Sequence, residues 1–370
     1  MSDLILVTGG AGFIGRFTVE ELLRRGYRVR ILDSLVDQVH GPNAAGAVNP
    51  EAELIRGDVR DRDALARALE GVESVIHLAA EVGVGQSMYE VEKYTSANEL
   101  GTGIFLETLI QRPVRRIVTA SSMSIYGEGL YEDSSGALVE TAQRRSVRPG
   151  EGNWEPLDRE GRPLKPLPTP EWKRPDLTSI YALGKYVQER QTLILSDAYG
   201  MEGVCLRLFN VYGPGQALSN PYTGVLAIFA SRILNRQKPM IFEDGEQRRD
   251  FVYVGDVARA FVDALEKPGV NGEVFNIGSG SSWSVRQVGE ELARAMGVGE
   301  FEADVLMKFR TGDIRHCFAD PSRTSEKLGF QARKSFGEGV AELAEWVMRQ
   351  QAEDRLGAAQ AELESRGLVS

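Results

Sequence analysis

Cysteine is scarce in this chain of 370 residues: only Cys205 and Cys317 occur, and neither sits in a Cys-x-x-Cys or Cys/His cluster. That excludes a disulfide framework and gives no metal-ligand signature, so no metal is expected and a reducing compartment is. No apolar run reaches the length of a membrane span. The opening MSDLILVTGG lacks the basic stretch and the longer apolar core of a signal peptide, so no membrane association and a cytoplasmic setting are expected. Basic residues are in deficit, 43 Lys+Arg against 53 Asp+Glu for a formal charge of -10, which argues against a broad surface tracking nucleic-acid phosphates. Any phosphate must be held locally. No repeat or low-complexity tract is present, and a composition of 42% hydrophobic and 26% charged residues suits an ordinary globular chain. At this length a large domain with a smaller companion is the first expectation.

What is present is a rhythm of β-branched runs and amphipathic segments. LILV near residue 5, VRIL near 30, AELI, SVIHLAA and RRIVTASS read as strands. Between them lie helical patterns at Ile14 to Arg25, around Asp63 to Leu69, and at Asn98 to Gln111. This is the signature of an α/β, Rossmann-type doubly wound parallel sheet. The stretch 128–175 breaks the rhythm, with seven of the chain's 15 prolines, and reads as a long irregular insert. Helical periodicity resumes at Ser179. Residues 1–200 are expected to form mainly one α/β domain, and 201–335 mainly a smaller α/β second domain. Strands near 203–210 and 273–277 interleave the two. A helix is expected at Gly224 to Asn235 and another at Val257 to Glu266, and 336–370 is a helical, charged C-terminal segment.

Strand LILV runs directly into TGGAGFIG. Gly9, Gly12 and Gly15 are spaced for a tight turn, for amides approaching a pyrophosphate, and for a helix packed close to the sheet; Phe13 and Ile14 open that helix. Asp33 ends the second strand, where a carboxylate accepts from both ribose hydroxyls and repels a 2′-phosphate, so NAD is favoured over NADP. Asp58 and Val59 in RGDVRD, and Leu78, Ala79 and Ala80 in HLAA, also follow strands, where a dinucleotide would lie. His77 reads as a structural histidine; His40 and His316 receive no role.

Tyr181 and Lys185 in SIYALGKYVQE are four residues apart, which puts both on one helix face. A phenol near pKa 10 is a poor base, but a lysine ammonium one turn away and a positive nicotinamide ring both favour the phenolate. Ser122, in TASSMSIYG at the end of a strand, can hydrogen-bond the same substrate hydroxyl.

These motifs, with Asn98 in NELGT, RLFNVYGPGQ, RRDFVYVGDVA and NIGSG, run in order along nearly the whole chain. The chain resembles an extended short-chain dehydrogenase/reductase, specifically a nucleotide-sugar epimerase or dehydratase. The resemblance implies Ser122, Tyr181 and Lys185 as the catalytic set, Asn98 as support for the lysine and an active-site water, and Asn210 as a contact to the sugar nucleotide. It implies that Arg249 and Arg310 grip the nucleotide diphosphate, as planar guanidinium forks can. Neighbours on a strand face opposite ways, so only one of Arg248 and Arg249 is expected to point into the site. Asn220, Met240 and Phe242 are expected around the base, and a homodimer through the helices that begin near Asn98 and Tyr181.

The reaction implied is 4-epimerisation through a transient 4-keto sugar, with NAD returned unchanged. The alternatives are 4,6-dehydration or another oxidation or decarboxylation of a nucleotide sugar, and, from another class, a dinucleotide-binding protein without chemistry. Dehydratase and decarboxylase relatives carry an Asp-Glu pair or a Glu just after the active-site Ser/Thr; here Met123 and Ser124 stand there. The insert, with DSLVDQVHG and GQSMYE, is similar to a bacterial subgroup that includes dTDP-L-rhamnose 4-epimerases. Members of that subgroup carry cysteines in the insert and this chain has none there, a departure that leaves the sugar open. The insert is either a lid over the sugar or a structural or interface element.

Overall fold

Apolar runs without polar alternation belong to strands covered on both faces, and here they assemble into one parallel sheet. The computed structural model describes residues 2–40, 48–142, 154–218, 224–309, 312–350 and 356–369. The strands are β1 (Leu4–Thr8), β2 (Arg28–Asp33), β3 (Glu53–Arg56), β4 (Ser74–His77), β5 (Arg116–Ser122), β6 (Glu202–Leu208) and β7 (Val274–Ile277). Their order is β7-β6-β5-β4-β1-β2-β3, all pairings parallel. Order reverses at β1, so the crevice beyond the carboxyl ends of β1 and β4 is where a doubly wound sheet receives a ligand.

Helix α1 (Phe13–Arg24) and, far along the chain, a helix at Val254–Glu266 cover one face through a cluster that includes Ile5, Val19, Leu22, Phe261 and Leu265. The other face is covered by α2 (Arg62–Ala68) and α3 (Gly101–Gln111), with Leu65, Phe105 and Leu109. Each such side chain, buried from water, is worth about 1.5–3 kcal/mol. α4 (Ile180–Ala198) lies along β5 and β6. A second core joins α5 (Val225–Leu234), α6 (Val254–Glu266), α7 (Val285–Ala295) and α8 (Phe336–Val347) through Phe229, Val254, Leu292 and Leu343. A last helix, α9, spans Leu356–Ser365.

Three expectations need correction. α6 begins at Val254, three residues before the sequence pattern suggests, because VGDV continues directly from the strand at Phe251–Tyr253. The helix expected from Asn98 starts as a π-helical turn, Thr95–Leu100, before regular α geometry at Gly101. The insert is not irregular throughout: Leu130–Glu132 pairs antiparallel with Leu138–Val139 and with Lys165–Leu167. Prolines mask these strands in the sequence, and Pro166 is tolerated because Lys165–Leu167 is an edge strand of this small sheet.

The insert is stitched to the body of the protein. The Thr169 amide donates to the Phe318 carbonyl (2.8 Å), and the Asn276 amide at β7 donates to Glu171 Oε1 (2.8 Å). Arg315, only 2% exposed, donates to Glu155 of the insert (2.6 Å), to Glu243 (2.9 Å) and to Asp244 (2.6 Å). Removing one partner of a buried charge cluster costs about 3–5 kcal/mol, because the remaining charges stay desolvated. Arg315→Met is therefore expected to lower unfolding free energy by about that amount in urea titrations and to speed trypsin cleavage within 128–175. An unchanged midpoint and unchanged cleavage would show that the brace is energetically idle.

Candidate active site

β1 ends at Thr8, and the chain reverses through Gly9 at φ +70°. A Cβ on Gly9 would stand 2.9 Å from the Ala79 amide nitrogen, and one on Gly15 would stand 2.3 Å from the Gly9 carbonyl oxygen. Only glycine allows this turn, and only glycine lets α1 approach it so closely. At Gly12, by contrast, only the Gly9 carbonyl, at 3.3 Å, lies within 4 Å of a built Cβ, and Gly12 is the residue before the N-terminus of α1. Free amides at a helix N-terminus favour an anion. Phe13 and Ile14 are half-buried in the first turn.

Asp33, buried at the end of β2, accepts from the Ala11 amide (3.0 Å) with one oxygen and from the Leu35 amide (2.9 Å) with the other. Leu35 has φ +54°, a conformation that its bond to Asp33 helps to hold. His40 Nε2 lies 3.3 Å from the same carboxylate. A carboxylate has about four acceptor positions, so Oδ2, approached only by Ala11, keeps capacity for a ribose hydroxyl. This set fits NAD. Asp58 is engaged otherwise: Arg60 donates to it from Nε (2.8 Å), Nη2 (2.6 Å) and its amide, and holds its carboxyl below the usual range. Val59 is buried against α2 and α3, while Leu78, Ala79 and Ala80 line the start of the loop after β4.

Ser122 closes β5 and caps the short 3₁₀ turn Met123–Tyr126. Its Oγ accepts from the Ser124 amide (3.1 Å) and lies 2.9 Å from the Ser124 hydroxyl. Ser179 caps α4, accepting from the Ala182 amide (3.1 Å), and so fixes the turn that carries Tyr181. The Tyr181 amide donates to Ser87 Oγ (3.1 Å), which joins this turn to the loop after β4. Residues 59 positions apart, Ser122 and Tyr181, come close enough for the serine hydroxyl to act on the phenol. Burial raises the pKa of the phenol, and the nearby Ser122 hydroxyl opposes that rise.

The lysine is held by another residue of its own helix face. Lys185 is 4% exposed, its ammonium donates to Gln188 Oε1 (2.8 Å), and burial lowers its pKa to about 7. The reason is geometric: Gln188, three residues on, offers an acceptor on the same buried face. Asn98 does not reach the lysine either; its Oδ1 accepts from the Glu81 amide (2.7 Å) and its Nδ2 donates to the Glu81 carbonyl (3.0 Å). It holds the loop after β4 in place. His77 is buried, stacked on Phe105 at 4.6 Å, bonded at both nitrogens to Thr8 (2.7 Å) and Thr102 (3.0 Å), and pushed by burial down to about 3.

On the substrate side, Asn210 Nδ2 donates to the Asp250 carbonyl (3.0 Å). Arg249 is half-buried, with Nη1 on the Arg248 and Arg315 carbonyls (2.9 Å each) and Nη2 on the Ile314 carbonyl (2.5 Å). Arg248 reaches the other way, to Ser282 Oγ (2.9 Å), as strand alternation requires. Met240 and Phe242 lie at and just after the strand Met240–Ile241 and are half-buried. Asn220 and Arg310 lie outside the described residues. Sequence reasoning missed Gln188, Ser124, Ser87 and Thr102. Gln188 had a usable signal, since Tyr181, Lys185 and Gln188 follow the i, i+4, i+7 spacing of one helix face.

The comparisons with known proteins agree with this geometry. The NAD dependent epimerase/dehydratase family matches residues 5–149 and 163–278, more than half of the chain. The chain belongs to that family, and its cofactor is NAD. A dTDP-L-rhamnose 4-epimerase from Burkholderia thailandensis is 36% identical over 94% of this chain and 95% of its own length. The structure of a UDP-glucose 4-epimerase from Thermotoga maritima with UDP-glucose superposes with a TM-score of 0.75 at 31% identity, covering 93% of this chain and 98% of that one. That of a UDP-glucose 4-epimerase from Thermus thermophilus with NAD gives 0.75 at 30%, covering 94% and 100%.

The depressed lysine has a thermodynamic signature. The folded state favours neutral Lys185, so the unfolded chain binds the extra proton, and stability gains from this group as pH rises from about 7 toward the ordinary lysine value. In urea unfolding at several pH values, the stability of the parent relative to Lys185→Met should increase between pH 7 and about 10. A difference that is flat or falls over that window would contradict the burial effect.

Proposed function

We propose that this chain is an NAD-dependent nucleotide-diphosphate-sugar 4-epimerase that works through a transient 4-keto sugar. The observation that carries this reading is the meeting of Ser122, at the carboxyl end of β5, with Tyr181, in the first turn of α4. Bound NAD supplies a reversible hydride acceptor at that edge. Tyr181, ionised, takes the proton of the sugar 4-hydroxyl while Ser122 holds the same oxygen, and the C4 hydrogen leaves as hydride. When the 4-keto sugar has turned over, the hydride returns to its opposite face and Tyr181 gives the proton back. The diphosphate must stay fixed during that turn. Arg249 suits this task because three carbonyls hold its guanidinium; Arg310 is the second arginine of the reading. Asn210 and Asn220 are assigned to the sugar nucleotide, with Met240 and Phe242 beside the base.

Dehydration is the second reading, and one feature weighs against it. The two residues after Ser122 are a buried methionine and a serine whose hydroxyl faces Ser122, so no carboxylate pair stands where a further acid and base would be needed.

The homodimer is proposed from the same helices that frame the site. Leu183 and Ile194 on α4 and Leu100 in the π turn are 39%, 57% and 56% exposed, an apolar stripe that suits a second copy of this chain. Both thiols are free and buried, in keeping with a reducing, cytoplasmic setting. No helix among the described residues is long and apolar enough to cross a membrane.

Two experiments follow. Incubation with a panel of UDP-, dTDP-, GDP-, ADP- and CDP-sugars, read by NMR, should reveal one C4 epimer pair, and Tyr181→Phe should cut its turnover by about 10²–10⁴-fold. Full turnover in that variant would overturn the assignment. Leu183→Glu with Ile194→Glu should yield monomers by light scattering; an unaltered assembly, or a parent that is already monomeric, would remove this interface.

A further inference from the structure

The buried face of α4 is polar along its length: Lys185, Gln188, Glu189, Thr192 and Ser196 are all buried. A helix pressed on a sheet ordinarily buries apolar residues there, and burying polar groups costs free energy unless every donor and acceptor is matched. Gln188 is 1% exposed and matched at both ends. Its Oε1 accepts from Lys185 Nζ (2.8 Å), and its Nε2 donates to Thr102 Oγ1 (2.7 Å) and lies 3.3 Å from the Ala79 carbonyl.

Proton bookkeeping fixes the direction of this chain. An ammonium can only donate, so the amide must present its oxygen to Lys185 and its NH₂ to Thr102 and Ala79. Gln188 Nε2 also lies 3.4 Å from His77 Nε2, and the His77 ring meets Thr102 Oγ1 (3.0 Å) and Thr8 Oγ1 (2.7 Å) through its two nitrogens. Thr8 is the last residue of β1, directly before the glycine turn. The lysine is thereby tied through Gln188, Thr102 and His77 to the strand that positions the dinucleotide.

We infer that Gln188 is a positioning residue for Lys185: it fixes where the ammonium lies and how firmly it keeps its proton, and through that charge it sets how readily Tyr181 ionises. The inference rests on the catalytic reading of Tyr181 given above. The titratable groups set around Lys185 are Glu189 on α4, His77 on β4 and Cys205 on β6, with Tyr181 four residues back on the same helix. His77 is neutral in this setting, and burial pushes the Cys205 thiol up. Glu189 is bound by Arg207 through two nitrogens (2.8 and 3.0 Å) and by Ser121 (2.7 Å), so its charge is largely spent. Gln188 is left as the one hydrogen-bond acceptor found for the ammonium among the described residues. An apolar side chain there would favour the neutral amine; a carboxylate would favour the ammonium.

The test is a titration of Tyr181 in the full-length protein loaded with NAD, by the ultraviolet difference absorption of tyrosinate. Each variant is referenced to the same variant carrying Tyr181→Phe. Gln188→Leu should raise the midpoint of the phenol by about one pH unit or more, tenfold in ionisation, and Gln188→Glu should lower it. A residue that merely fills space would not move the midpoint in opposite directions. Coincidence of both variants with the parent overturns the inference. If Gln188→Leu does not fold, Gln188→Glu decides alone: a lowered midpoint supports the role and an unmoved one ends it. Since no sugar is needed, the outcome separates from the functional reading. Opposed shifts in a protein that epimerises nothing would sink the epimerase and keep the relay; unmoved midpoints in an active epimerase would do the reverse.

Discussion

The approach of two hydroxyls, Ser122 at the end of β5 and Tyr181 in the first turn of α4, is the constraint on which the account of this protein turns. Neither residue could be placed by its own neighbours in sequence. Ser122 is held by the sheet and by the Ser124 amide, and Tyr181 by the Ser179 cap and by Ser87 in the loop after β4. Three separate stretches of chain must be in register before the pair forms. That is preorganisation in its ordinary physical sense: the geometry is set by folding, ahead of the reaction.

The electrostatics of the site run against a simple picture of a phenol activated by a nearby cation. Burial disfavours charge on both partners, lifting Tyr181 and lowering Lys185 to about 7. In a pocket of this kind the two protonation states are coupled, so a proton lost by one changes the affinity of the other. A lysine poised near neutrality responds to whatever charge is brought beside it, and an oxidised dinucleotide brings positive charge. The polar chain behind the lysine, down to His77 and Thr8, gives the buried ionisable group a hydrogen-bond partner on the helix and links it to the sheet.

Much of this was legible in the sequence because it is local. TGGAGFIG after a β-branched run, Asp33 at the end of the second strand and the four-residue spacing of Tyr181 and Lys185 each follow from short-range rules. The strands at 202–208 and 274–277, which extend the sheet on one side, were readable from their apolar runs. What escaped was long-range. Gln188 reads as an ordinary polar helix residue until the sheet supplies Thr102 and His77. Asn98 looks placed to serve the lysine until the loop at Glu81 claims it. The insert, 128–175, hid its short strands behind prolines, and its anchorage at Arg315 joins residues far apart in the chain. Those bonds to β7 and to Phe318 also make a freely swinging lid a poor description of its described residues.

The central claim, that NAD oxidises C4 of a nucleotide sugar while Tyr181 takes the hydroxyl proton, and that the same hydrogen comes back, is tested most directly by running the reaction in deuterated water. The account predicts that the epimerised product carries ordinary hydrogen on C4, because the hydride never exchanges with solvent. Deuterium at C4, or deuterium at C6 with loss of water, would contradict it.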